Sequence, residues 1–352
     1  MSDKFDEVMS EILKPMSDLT MGPIDTMYLM RHDGSLVYTE GYWHPEGSII
    51  GKLIYYPDPD GPKDIHGRRY SSIVKEERDG EEIYISHEDQ LKKVYQLFPD
   101  LPPDSHKLIL AEYQMAFPWE SFAGYFDDRA SLRYVMKHFP RIDEVVRMTS
   151  DLFEVPLERL GITGSSALGR KGADIDLVFL GTPEENMATV QKLWSIVYSQ
   201  PDKQVVEYGK FWPLKIYVDR EEVCTFYVYR NLEDAPVRDC TVELVKEPVE
   251  VYGTVADNIN SLFVPVVLEL ENVYIDGEKT DDIQLVIYDG AVRGEFKKGL
   301  RLHIKGKLVN LVKDGVKTPS IAVVDGFNIE LERFRAGVPH LQSQLERENI
   351  KS

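Results

Sequence analysis

The stretch LGITGSSALGRKGADIDLVFLG, residues 160–181, decides how the middle of this chain is read. Its second half, ADIDLVFLG, is an apolar run that reads as a strand, interrupted by Asp174 and Asp176. Residues two apart in a strand share a face, so the two carboxylates lie side by side. Charge in a segment that otherwise favours burial is costly unless compensated. A divalent cation with hard oxygen ligands, magnesium or manganese, is the natural compensation. An acid-x-acid pair alone is weak evidence, since 60 acidic residues would supply on the order of ten by chance. The context adds weight. LGIT reads as a preceding strand ending at Gly164-Ser165, and a glycine there lets backbone approach a ligand closely. The N–H groups of Ser165 and Ser166, at a nascent helix start, are suited to phosphate oxygens. SSALGRKG then forms a short helical start and tight loop that brings Arg170 and Lys171 near the same place.

The flanking sequence extends this into a unit of residues 136–240. RIDEVVRMTSDLFEV is an amphipathic helix, and PEENMATVQKLWSIVYSQ is another, opened by acids that suit a helix N-terminus. KQVVEYGK, PLKIYVD and EEVCTFYVYR are strands, the last two a hairpin across Asp219-Arg220-Glu221. The order describes a small mixed-sheet α/β unit. Before it, residues 1–135 read as an α+β unit. Helical spacing runs over 4–18, strands between Met27 and Tyr56 turn at Asp33-Gly34 and Glu46-Gly47, and helices cover 87–99 and 126–138. After it, residues 241–332 are nearly all strand, five in number, with Gly and Asp at the turns. That pattern suggests a small barrel like the oligonucleotide/oligosaccharide-binding (OB) folds. Residues 333–352 form a polar tail. The fold class expected is therefore α+β and multidomain.

Length and composition agree: 352 residues suggest roughly two or three domains. A net charge of −19 argues against coating duplex DNA by bulk attraction, but a bound cation can invert the sign of an acidic site. Cys224 and Cys240 are too few for a disulfide framework and lack metal-ligand spacing. With no basic-then-apolar leader and no apolar run of spanning length, a soluble cytoplasmic protein without membrane contact is expected.

The 160–181 segment resembles the nucleotidyltransferase superfamily that includes DNA polymerase β, poly(A) polymerases and CCA-adding enzymes. The matching residues are Gly164, Ser165, Asp174, Ile175, Asp176 and Leu177, with Thr163 where an apolar residue is usual. The likeness covers about 140–230. The whole chain also looks like a group of prokaryotic predicted nucleotidyltransferases in which a strand-rich N-terminal region carries an HP turn, here Trp43-His44-Pro45. The resemblance implies that Asp174 and Asp176 ligate magnesium and that Gly164 and Ser165 hold the β- and γ-phosphates of a nucleoside triphosphate. A nucleoside monophosphate would then pass to a hydroxyl acceptor, an RNA, a protein or a small molecule. The superfamily's third carboxylate falls, in the natural register, on Cys224. Glu222, two residues back on the same face, is the substitute, with Asp219 in the turn a poorer one. A protein that binds nucleotide or nucleic acid without turnover is the alternative.

Other residues weigh less. Lys210 and Lys215 read as a solvated strand face more readily than as triphosphate ligands. The basic run Arg293, Lys297, Lys298, Arg301, Lys305, Lys307, Lys313 and Lys317, beside Tyr288 and Phe296, is either a nucleic-acid track or an ordinary barrel face, the second slightly preferred. His44, His66, His87 and His106 lack metal spacing, and Tyr70 with Arg68 and Arg69 is a weak candidate for substrate contact.

Overall fold

The computed structural model describes residues 4–78, 81–207, 209–324 and 329–331. It is a mixed α+β structure with several sheets. The polar tail expected at 333–352 lies outside the described residues.

The segment that opened the argument folds as a strand–turn–strand unit in a five-stranded sheet. The order is Leu160–Ile162, Ile175–Gly181, Glu221–Tyr229, Lys210–Val218, Gln204–Glu207. Ile175–Gly181 runs parallel to Glu221–Tyr229, and every other neighbouring pair is antiparallel. The hairpin expected at Asp219-Arg220 is present, both residues in the left-handed region at φ 44° and 71°. Pro140–Phe153 and Pro183–Ser199 pack on the sheet, the latter opened by a Thr182/Glu185 capping box that satisfies two helix-start N–H groups. The core beneath is Val145, Val146, Leu160, Leu177, Phe179, Leu193 and Tyr227 among others.

The N-terminal residues form an antiparallel eight-stranded sheet. The first helix is shorter than its periodicity suggests. It spans Lys4–Ile12, and Leu13–Pro15 leaves it to pair with Phe122–Phe126. Pro15 accounts for the break, because it has no N–H to donate and disfavours helix at the residue before it. The C-terminal strands Thr241–Asp257, Val266–Ile275, Ile283–Ile287, Arg301–Lys313 and Val316–Val323 answer to the five runs read from sequence. Thr241–Asp257 pairs with both Val266–Ile275 and Arg301–Lys313, so the path of pairings returns on itself.

These three regions share cores. Trp43, Ile50, Leu108, Val237, Val264, Val286 and Val309 form one apolar cluster, with the Trp43 indole N–H donating to the Cys240 carbonyl at 3.0 Å. The Tyr229 ring stacks on Phe263 at 3.7 Å, and its backbone N–H donates to the Tyr42 hydroxyl at 3.1 Å. A cluster that draws on all three regions couples their stability. Trp43→Ala removes a large buried ring and should cost about 3–5 kcal/mol. The far-ultraviolet circular-dichroism signal and the near-ultraviolet signal of the remaining tryptophans should then fall together at a lower urea midpoint, rather than in two separate transitions.

Candidate active site

Gly164–Leu168 is a 3-10 turn closed by Gly169 in the left-handed region at φ 72°. Gly164 itself has φ 61°. A Cβ there would lie 1.8 Å from Asp176 Oδ2, so the carboxylate of Asp176 packs directly onto the glycine backbone. The Thr163 N–H donates to the Asp176 carbonyl at 2.9 Å, and the Thr163 hydroxyl donates to the Thr26 carbonyl at 2.6 Å. The turn is thereby fixed both to the acidic strand and to the N-terminal region. Gly172 lies against Ser165, whose Oγ a Cβ at Gly172 would meet at 2.4 Å. Ser166 is buried, and its hydroxyl has no hydrogen-bond partner among the described residues.

Asp176 sits in the strand, whereas Asp174 lies one residue before its start, where the chain straightens after Gly172 and Ile175 begins the ladder with Val223. Both still reach one place. The parallel register sets Cys224 opposite Asp176. Asp174, Glu222 and Cys224 each present a ligand-type atom within 4.8 Å of the others. The Cys224 thiol lies 3.4 Å from Asp174 Oδ2, donating to it, and 3.7 Å from Glu222 Oε1. Lys215, on the neighbouring strand, places its ammonium 2.5 Å from Glu222 and 2.6 Å from Glu207. Asp219 instead turns away to Arg141 at 2.7 Å.

The electrostatics follow from this crowding. Burial, and then the Asp174 charge, raises Asp176 to about 7, against a lesser opposing pull from Cys224 and Lys215. Burial and the same two aspartates push the Cys224 thiol far above its ordinary value, so it is a protonated donor. Burial works against the Lys215 ammonium, but its bonds to Glu207 and Glu222 outweigh it and raise its pKa.

The acids open onto two adjoining cavities. One, of about 470 Å³, has Asp174, Asp176, Cys224, Lys215, Trp212, Phe226 and Arg293 in its walls, together with Asp25 and Val264. The other, of about 440 Å³, has Thr163, Gly164, Asp176 and, from the N-terminal region, Tyr28, Lys52 and His87. Tyr38, Glu40, Lys52, Asp176 and Phe226 belong to both. Comparison with protein-family models, curated proteins and solved structures finds no match for this chain.

Of the residues singled out from sequence, Asp174, Asp176, Glu222 and Gly164 come together. Ser165 and Ser166 belong to the adjoining turn. Arg170 and Lys171 follow it and are not among the residues forming either cavity wall, Arg170 instead acting electrostatically on His66. Lys215, read as a solvated face, is an integral part of the acid cluster. Tyr288 and Phe296 are core residues, and within the basic run Lys307 pairs with Glu112 and Lys317 with Glu243 at 2.6 Å. His44 is half-buried with Nδ1 accepting from the Ile50 N–H at 3.0 Å, and desolvation lowers it to about 4, so the HP turn is held by a neutral imidazole. Tyr70 is likewise buried in the N-terminal core. Sequence reasoning missed Asp25 and Trp212. Nothing in PIDT or KFWP marks them, since both reach the cavity through tertiary packing.

Two predictions follow from this geometry. Gly164→Ala should cost about 2 kcal/mol, from a positive φ and a collision with Asp176. On an Asp176→Ala background the collision is gone and the cost should shrink toward the backbone share of about 1 kcal/mol. Urea titrations of the four proteins in this cycle check it, and strict additivity would contradict the packing. Asp25 supplies the second. Burial is the main cause that raises its carboxyl from 3.8 to about 7. The folded chain then keeps a proton that the unfolded chain releases between those values, so this group's contribution to stability is complete below about 4 and is lost as pH rises to about 7. Asp25→Asn mimics the protonated form. Its Tm relative to wild type should rise between pH 5 and pH 8 and be level above; a constant difference would refute the assignment.

Proposed function

We propose that this chain is a metal-dependent nucleotidyltransferase that moves a nucleoside monophosphate from a nucleoside triphosphate onto a hydroxyl acceptor such as an RNA or a protein. One observation carries the reading. Asp176 is packed onto the Gly164 turn and joined by Asp174 and Glu222 around Cys224, at the junction of two cavities. The mixed sheet that bears these residues, with the two acid-bearing strands parallel and adjacent, supports the superfamily likeness.

The residues fit a hard divalent cation. Asp174 and Glu222 offer carboxylate oxygens within 4.8 Å of each other and of the Cys224 thiol, and Asp176 adds a third nearby, its carboxyl raised by burial and then by the Asp174 charge. These three would hold magnesium or manganese, which when bound supplies charge neutralisation to a transferring phosphoryl group. The chain's own groups prepare the site. Lys215 holds Glu222 in place, the Cys224 thiol orients Asp174, and Gly164 brings the turn against Asp176, with the N–H groups of Ser165 and Ser166 as the phosphate donors of the reading. Arg170 and Lys171 remain candidates for phosphate contact from the loop.

We read the chain as three units and a tail: 1–135, the nucleotidyltransferase-like 136–240, the OB-like 241–332, and 333–352. The OB-like reading is supported by the circuit of five strands, first to second to third to fifth to fourth and back to first, with the third and fifth parallel.

Cys224 favours a second reading, in which the site binds nucleotide without turning it over. A protonated, buried thiol stands in register with Asp176 where the superfamily carries its third acid. The two readings separate by experiment. Calorimetric titration with magnesium and a nucleoside triphosphate should show affinity that Asp174→Asn reduces at least tenfold. On the first reading pyrophosphate is released with a hydroxyl acceptor, and this stops in Asp174→Asn. On the second no pyrophosphate appears in wild type, while Cys224→Asp gains it. Equal binding and turnover in wild type and Asp174→Asn would end both.

A further inference from the structure

Asp25 and Trp212 come from distant parts of the chain and stand in the wall of the same cavity as the acids. Asp25 is 1% exposed. Its Oδ1 accepts the Gly41 N–H at 2.9 Å, whereas Oδ2 has no hydrogen-bond partner among the described residues. The Trp212 indole Nε1 is likewise a buried donor without a partner among them. Buried polar groups are nearly always satisfied, and an orphaned one marks a place where something else supplies the bond. One orphan is a carboxyl oxygen, an acceptor when ionised and a donor when protonated, the other is an N–H donor, and both residues stand in the wall of one cavity. The Trp212 and Phe226 rings, with Leu214 and Val264, give this wall flat apolar surface among charged neighbours such as Lys210, Lys215 and Glu295, and the Phe226 ring carries the Arg293 guanidinium at 4.7 Å.

A carboxyl group and an indole N–H beside aromatic rings fit a planar heterocycle that offers both kinds of hydrogen bond on its edge. We propose that this cavity is the nucleobase subsite, with Asp25 and Trp212 as the pair that reads the base. The inference rests on the nucleotidyltransferase reading and deepens it. Because the two cavities meet at Asp176, a single nucleotide spans them, with its polyphosphate on the Gly164 side and its nucleoside on the Asp25–Trp212 side. Lys215 and Arg293 then stand along the nucleoside's path. The base would be recognised by residues outside the segment that carries the acids, so base preference is set by how the N-terminal region and the strand at Lys210–Val218 pack together.

The test compares the magnesium complex of inorganic tripolyphosphate with those of ATP, GTP, CTP and UTP by calorimetry, on wild type, Asp25→Ala and Trp212→Phe. Wild type should bind at least one of the four nucleotides tenfold or more tighter than tripolyphosphate. Each variant should lose most of that difference while keeping tripolyphosphate affinity and a cooperative thermal transition. Trp212→Phe keeps a ring in place and removes only the donor, so it holds the test if Asp25→Ala folds poorly. A wild type that binds all four nucleotides no better than tripolyphosphate overturns the base subsite and leaves the phosphate and metal site standing. So does an unchanged nucleotide advantage in both variants. If wild type binds neither tripolyphosphate nor nucleotide, the base subsite and the nucleotidyltransferase reading fall together.

Discussion

The contact between the Asp176 carboxylate and the Gly164 backbone is what the site is built around. It requires a residue without Cβ at the end of one strand and an acid on the next, and it sets how close the turn lies to the acids. Once Asp176 is placed, the parallel ladder fixes Cys224 opposite it and brings Glu222 and Lys215 to the same edge. The electrical cost is plain from magnitudes. Two unit charges about 4 Å apart interact by about 4 kcal/mol at an effective permittivity of ~20. One lysine shared between Glu207 and Glu222 cannot offset three clustered carboxylates on that scale. Burial first, and then the Asp174 charge, raise the Asp176 carboxyl to about 7.

How much of this was legible in the sequence depended on whether the information was local. The strands and helices of the central unit follow from period, caps and turn residues that act within a few positions, and Thr182 with Glu185 or Asp219-Arg220 can be read without a fold. The placing of Cys224 opposite Asp176 was reachable too, since it needs only that two strands pair with the acids near the same end. Pro15 was local information passed over, because the apolar spacing of the first helix continues through it. The role of Lys215 was not readable, since a lysine in a strand looks the same whether water or a carboxylate faces it. Asp25 lay furthest from view. Its surroundings include the Gly41 N–H and the charge of Arg293, partners that no pattern around residue 25 encodes.

Cys224 is best understood by counting charge. In the proposed reading the site keeps three carboxylates, but the third, Glu222, comes from two positions away and is held by Lys215. A carboxylate at 224 as well would add a fourth negative charge to a place where burial and the Asp174 charge already raise the Asp176 carboxyl. A thiol of similar size is neutral there, and it donates to Asp174 where a carboxylate would repel it. The substitution and the displaced acid are therefore compensating features of one arrangement rather than two separate departures.

The cavities add a constraint that the central sheet alone does not impose. Their walls draw on the N-terminal region through Asp25 and Lys52 and on the C-terminal strands through Val264 and Arg293. The same regions are joined beneath the site by the Trp43–Val264 cluster and by Tyr229 stacked on Phe263. A buried aspartate with one unsatisfied oxygen lowers stability, and only the surrounding packing keeps it in place. The shared apolar core supplies that packing. It follows that the flanking regions shape the space in front of the acids, so the form of the cavity and global stability draw on the same contacts. A change that loosens Trp43 or Phe263 would alter what the cavity accepts before it disturbs Asp174, Asp176 or the sheet that carries them.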